Sequence, residues 1–220
     1  MTEVQPVKVA PERLDRWLAG FARRHPLPEP MVALDALELV SPDGARAWIE
    51  TPWGTPSANG PLADLVERAN RPRRLGALLV RRNSHAVGIF DGAELIVHRI
   101  GRHYVQGRTK AGGWSQQRYA RRRDSQAERA FGRAVRDAAE LLAPAADTLE
   151  AIILGGDAQA VRTVLADPAL AALRPVVARH QRPLLAVPDP NLRVLRDSLP
   201  AFRAVTIRLN AEARRAPVES

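Results

Sequence analysis

The sequence predicts an α/β fold in which three antiparallel strands lead into a long helix and then a βαβ half. Three observations predict it. Apolar runs at residues 75–82, 85–90 and 93–100 are separated by Asn83-Ser84 and Asp91-Gly92, turn chemistry that suits a meander. The next pattern, Ala127, Phe131, Ala134, Ala138 and Leu141, repeats at intervals of 4, 3, 4 and 3, which is one stripe of a helix. Beyond it, wholly apolar runs at 151–154 and 184–187 alternate with helical patterns, which favours parallel pairing.

From the N-terminus, residues 1–12 carry no periodicity and are expected to be frayed. Residues 13–23 place Leu14, Trp17, Leu18 and Phe21 on one helical face. The prolines at 26, 28 and 30 end that helix. Residues 31–39 are apolar without a defined period, 45–50 reads as a strand, and 51–61, rich in Pro and Gly, reads as a loop. After the meander comes a basic loop at 101–114. Ser115 is placed to cap the long helix, which should end near Ala143, before Pro144. Gly155-Gly156 ends the strand at 151–154, residues 157–166 and 191–199 are helical, and 202–209 is a last strand or helix. The tail from Ala211 reads as solvated. This gives an N-terminal, partly helical appendage (1–44), a main domain (45–210) and a flexible tail (211–220). The order of elements in the main domain is that of the ribonuclease-H-like fold, by analogy.

With 45% hydrophobic residues the chain can fill a core, largely with aliphatic side chains because aromatics make up 5%. The net charge is +9, and the only lysines are Lys8 and Lys110, so arginine carries the charge. A general richness in Arg, Ala, Pro and Gly accounts for the total but not for local clusters. There are no cysteines, which excludes disulfides and thiolate metal sites. No apolar run approaches the roughly 20 residues of a membrane span. A cytoplasmic protein without membrane contact is expected.

Most catalytic constellations fail on position. A two-metal nuclease needs carboxylates clustered on central strands, and residues 75–82 hold none. Asp91 and Glu94 flank a hairpin tip, and Asp157 follows a strand alone. Ser84 and His85 adjoin, but successive strand residues face opposite ways. His25, His98 and His180 are scattered. Gly155-Gly156-Asp157 between strand and helix reads as a tight turn rather than an anion site.

The informative segment is 101–123. It carries Arg102, His103, Arg108, Lys110, Arg118, Arg121, Arg122 and Arg123 with no acid, and it interleaves Tyr104, Trp114 and Tyr119. Phosphates want cations and unstacked bases want aromatic faces. Gly112-Gly113 lets a loop tip approach another backbone closely, and a Trp beside it needs a partner. This combination suits insertion into RNA.

The segment resembles the central domain of eukaryotic and archaeal class-one release factors. Their signature is Gly-Gly-Gln, then Ser, two small or apolar residues, and Arg-Phe-x-Arg; here stand Gly112-Gly113, Ser115 and Arg118-Tyr119-Ala120-Arg121. Trp114 occupies the place of the glutamine. The spacing is more similar to the Vms-like release-factor branch, in which the glutamine follows the serine, and this points to Gln116, with Gln117 beside it as the alternative. The resemblance implies a peptidyl-tRNA hydrolase of ribosome rescue and quality control. The stop-codon-reading domain of release factors and the zinc-finger and ankyrin regions of the eukaryotic relatives are not recognised.

On this reading Gln116 orders water at the ester, Gly112 and Gly113 shape the loop, and Trp114 stacks on RNA. Arg108, Lys110, Arg118, Tyr119, Arg121, Arg122 and Arg123 contact RNA. Arg118 and Arg121 have the alternative of solvating a helix face, and Tyr119 that of a core residue. The expected partners are large-subunit rRNA and peptidyl-tRNA, with a monomeric protein and no metal or cofactor. The rival is a non-enzymatic rRNA- or tRNA-binding module of the ribosome.

Overall fold

The computed structural model describes residues 6–26, 28–33, 36–102, 131–180 and 182–214. They form two compact units. Unit 1 comprises Met1–Arg71 with Arg203–Ser220, and unit 2 comprises Pro72–Phe202.

Unit 1 holds five strands: β1 (Val7–Val9), β2 (Glu29–Val32), β3 (Ala36–Val40), β4 (Arg46–Glu50) and β9 (Val205–Leu209). They form one antiparallel sheet in the order β1-β9-β4-β3-β2. One face is apolar. Leu37, Leu39, Ala47, Ile49, Val205 and Ile207 pack with Leu14, Leu18 and Phe21 of α1 (Leu14–Arg24) and Leu65 and Ala69 of α2 (Pro61–Asn70). The opposite face carries cross-strand ion pairs, Arg46–Glu38 and Arg208–Glu50, which suits a face turned to water.

Unit 2 is built on a four-stranded mixed sheet. Strands β5 (Arg74–Arg81), β6 (Ser84–Asp91) and β7 (Glu94–Arg102) are the antiparallel meander. Arg81 pairs with Ser84 across a turn of Arg82 and Asn83, one residue earlier than the turn expected from sequence. Strand β8 (Ala151–Gly156) runs parallel to β5, with Leu75 opposite Ala151 and Val80 opposite Gly156, so the order is β7-β6-β5-β8. Helix α3 is described at residues 131–141 and passes through Ala143–Thr148, a 3-10 turn containing Pro144, into β8. Ala134 and Ala138 of α3 and Val161 and Val164 of α4 (Ala158–Ala166) form one buried cluster with Leu78, Val80, Val87 and Ile89 of the sheet. A short helix, α5 (Arg174–Arg179), comes next. The other face of the sheet meets α6 (Leu192–Arg203): a Cβ on Gly88 would lie 3.1 Å from Leu195. With both faces covered, seven successive residues of β6 are buried.

The α/β class, the meander and the parallel partner agree with the sequence reading, and several details do not. The boundary drawn at 44/45 falls inside the β3–β4 hairpin, where Val40 pairs with Arg46. The N-terminal part is therefore not a helical appendage but half of a sheet-bearing unit. Residues 7–9 are a strand rather than frayed, because β1 pairs with β9 from the far end of the chain. The run at 184–187 is one bridge, Leu185 to Gly155. Residues 202–209 divide into the end of α6 and β9, and β9 joins unit 1. Ala211–Arg214 form a helical turn, α7, with Ala213 buried and its N–H donating to the Asn210 side chain at 3.0 Å.

Candidate functional site

Gly112, Gly113, Gln116 and Gln117 lie outside the described residues, as do Arg108, Lys110, Trp114, Arg118, Tyr119, Arg121, Arg122 and Arg123. Strand β7, which runs to Arg102 before that segment, and helix α3 from residue 131 onward are described.

A buried polar contact ties the sheet to α3. His85 of β6 is fully buried, and its Nε2 lies 2.7 Å from a carboxylate oxygen of Asp137 on α3. Arg99 of β7 donates to the other Asp137 oxygen at 3.3 Å and pairs with Glu140. Glu140, then Asp137, raise the Arg99 pKa above its ordinary value through these hydrogen bonds. Charge-assisted contacts of this kind fix geometry more firmly than neutral ones. Gly101, opposite His85 in the β6–β7 register, completes the arrangement: a Cβ there would sit 2.0 Å from His85 Cε1. The imidazole thus occupies the space a side chain at 101 would need. Sequence reading treated His85 only as the neighbour of Ser84 and missed this contact. The available signal was a histidine in an apolar strand with a glycine at the matching position of the next strand.

Ser84 does not join His85. Its buried Oγ makes no hydrogen bond, and alternation sends the two side chains to opposite faces. Asp91 and Glu94 pair across the β6–β7 turn. Asp157 caps α4, accepting from Ala160 N at 2.8 Å. Among the described residues no cluster of three His, Asp or Glu could hold a metal, and no helix is long and apolar enough to cross a membrane.

A cleft of about 350 Å³ opens at the C-terminal ends of β5 and β8, lined by Arg81, Gly156, Asp157, Ala186 and Val187. Its polar groups bond to one another. Arg81 donates to Val187 O at 3.0 Å and lies 3.5 Å from Asp189, and Asp157 N donates to Val80 O at 2.8 Å. Gly156 has φ +106°, and a Cβ on it would lie 2.1 Å from Val80 O. The glycine is required by the strand-to-helix turn.

The remaining histidines lie apart. In unit 1 His25 Nδ1 bonds Asp43 at 2.8 Å. That bond first, and the Ala45 N–H second, hold the Asp43 pKa below the usual carboxylate range. In unit 2 burial lowers the His180 pKa to about 4, helped by the charges of Arg182 and Arg73. His98 is exposed on β7.

Peptide chain release factor subunit 1 of Aeropyrum pernix is 33% identical over 97 residues, which is 43% of this chain and 25% of that protein. The chain therefore matches only a quarter of that relative's length. Among solved structures, the archaeal translation termination factor aRF1 aligns at TM-score 0.45 with 14% identity, covering 94% of this chain and 72% of that one. A structure described as an archaeal protein aligns at TM-score 0.42 with 18% identity, over 73% of this chain and 48% of that one. The model of the Actinobacteria/chloroflexi VLRF1 release factor family matches residues 73–208, more than half of the chain, and the chain belongs to that family.

Proposed function

We propose that the protein is a ribosome-associated peptidyl-tRNA hydrolase that frees nascent chains from stalled or split large subunits. The observation that carries this reading is the family match over residues 73–208, which encloses the whole basic segment 101–123. Unit 2 is the catalytic part in this reading. The Arg99 contacts with Asp137 and Glu140 support it, because they brace β7, the strand that runs into the segment, against α3, and the His85–Asp137 bond ties the neighbouring strand β6 to the same helix. Reactive residues need a rigid mount.

The ester between a peptide and the terminal ribose of tRNA is already activated, so no covalent nucleophile is required. Gln116 positions water at the carbonyl and donates to the developing charge. Gly112 and Gly113 allow close approach, and Trp114 stacks on RNA. Arg108, Lys110, Arg118, Arg121, Arg122 and Arg123 hold phosphates, and Tyr119 lies among them. The protein acts in the cytoplasm as a monomer on large-subunit rRNA and peptidyl-tRNA, with no cofactor.

The test is incubation with large subunits carrying peptidyl-tRNA, with released peptide resolved on a gel. Release is expected. Gln116→Ala should slow it by roughly a hundredfold, the scale of losing one preorganised donor, and should leave binding intact. Gln117→Ala should do less, because in the Vms-like branch that the segment resembles the glutamine follows the serine directly, which points to Gln116. Trp114, standing where a glutamine follows the glycines in class-one release factors, favours a second reading: a non-enzymatic RNA-binding module of the ribosome. Tight binding without release would select it.

A further inference from the structure

The exposed side of α1 in unit 1 presents Arg16, Arg23 and Arg24, with Arg13 just before the helix. At about 100° per residue the three helical arginines fall within an arc of about 100°, and Gly20 lies inside it. Arg16 and Arg24 are about 12 Å apart along the axis. Among the described residues none of the four arginine side chains has a hydrogen bond or ion pair.

The other described arginines of the same unit differ. Arg46, Arg68, Arg203 and Arg208 pair with Glu38, Asp64, Glu12 and Glu50, and Arg71 and Arg214 also have partners. Among the described arginines of unit 1, those without a side-chain partner are thus gathered on α1 and the residue just before it. The helix dipole accounts for Arg23 and Arg24 in the last turn, where cations are favoured, but it disfavours Arg16 in the first turn. Packing does not explain Gly20 either, because a Cβ there would meet only Arg23 Nη2, at 3.7 Å. A glycine amid arginines lets a phosphate chain come close to the helix.

We propose that this arc is an RNA phosphate-binding surface, separate from segment 101–123, through which unit 1 docks on a ribosomal RNA backbone. Arginine matches phosphate with a planar fork of donors. Membership in a release-factor family selects RNA among polyanions. An anionic membrane fits less well, because Leu14, Leu18 and Phe21 of α1 are buried in the core, so the helix itself offers none of them as an apolar anchor beside its arginines. The inference goes beyond the proposed hydrolysis and does not depend on it.

The test uses the full chain and a fluorescently labelled RNA hairpin, with binding followed by anisotropy over a range of KCl concentrations. The triple variant Arg16→Gln, Arg23→Gln, Arg24→Gln should lower the slope of log affinity against log salt by about two to three, at roughly 0.7–0.9 for each phosphate no longer neutralised. The triple variant Arg46→Gln, Arg68→Gln, Arg208→Gln removes the same charge from paired positions and should leave the slope unchanged. Arg16→Gln alone should keep or raise the melting temperature while lowering the slope by nearly one, which a structural role would not produce. A wild-type slope in the α1 variant, or equal losses in both triple variants, would overturn the proposal. So would capture of the protein by phosphatidylserine vesicles through these arginines with RNA binding unaltered. Peptide release is read separately, so failure there leaves this result standing.

Discussion

In unit 2, β6 is buried at seven successive positions, whereas β3 of unit 1 alternates between buried and half-buried residues. The sheet of unit 2 has helices on both faces; that of unit 1 has helices on one face and ion pairs on the other. The difference teaches where each unit can tolerate change. In a doubly covered sheet every side chain has neighbours, so glycines and a histidine become fixed by fit. In a singly covered sheet half of the positions answer mainly to water.

The largest expected effect tests that difference at two left-handed glycines. Gly156→Ala in unit 2 places a methyl against Val80 O and should cost about 3 kcal/mol or more in urea unfolding. Gly44 of unit 1 has φ +85° but only a Glu212 side-chain carbon, at 3.8 Å, near the added atom. Gly44→Ala should cost about 1 kcal/mol. Equal costs would break the comparison.

Next comes the buried histidine. His85→Ala removes a fully buried ring and one of the two side-chain partners of the Asp137 carboxylate, at an expected cost of about 2–4 kcal/mol. Gly101→Ala should be severe in the wild-type background and mild beside His85→Ala, because the ring it meets is then gone. A double-mutant cycle measures this coupling, and additive costs would refute the fit.

A smaller effect comes from His180. Its folded pKa, about 4, lies below the ordinary value of 6.5. The unfolded chain therefore binds the proton first as pH falls. The resulting stability is complete above about pH 6.5 and is lost progressively toward pH 4. The ring is part exposed, so the loss should be about 1–2 kcal/mol rather than the full linkage. His180→Phe should flatten the stability profile in that window, and an unchanged profile would show that another group sets it.

The smallest effect belongs to the solvated face of unit 1. Arg46→Ala or Arg208→Ala breaks a surface ion pair and should change stability by less than about 1 kcal/mol. A larger loss would mean that this face is not governed by water.

Elements with a strong local period were legible in the sequence. Leu14, Leu18 and Phe21 announced α1, the runs broken at Asn83 and Asp91 announced the meander, and Ala134 and Ala138 announced the buried stripe of α3. Helix α2 was passed over, because Pro61 at its start follows a Gly- and Pro-rich loop. The candidate catalytic residues came from a motif and its basic, acid-free surroundings, and they rest on that motif and on the family match.

The sequence by itself determined the class of the fold, the meander and the strand after the long helix in unit 2, and the residues of the basic segment. These are set by periodicity and side-chain chemistry within a few turns of chain. Tertiary structure alone decided that β1 and β9 lie side by side, that the unit boundary falls after Arg71, and that His85 meets Asp137 across Gly101. Each of these joins residues far apart in sequence, and no local period records a partner on another strand or helix. The physical reason is that strand pairing and burial are satisfied by whichever complementary surface the folded chain brings alongside.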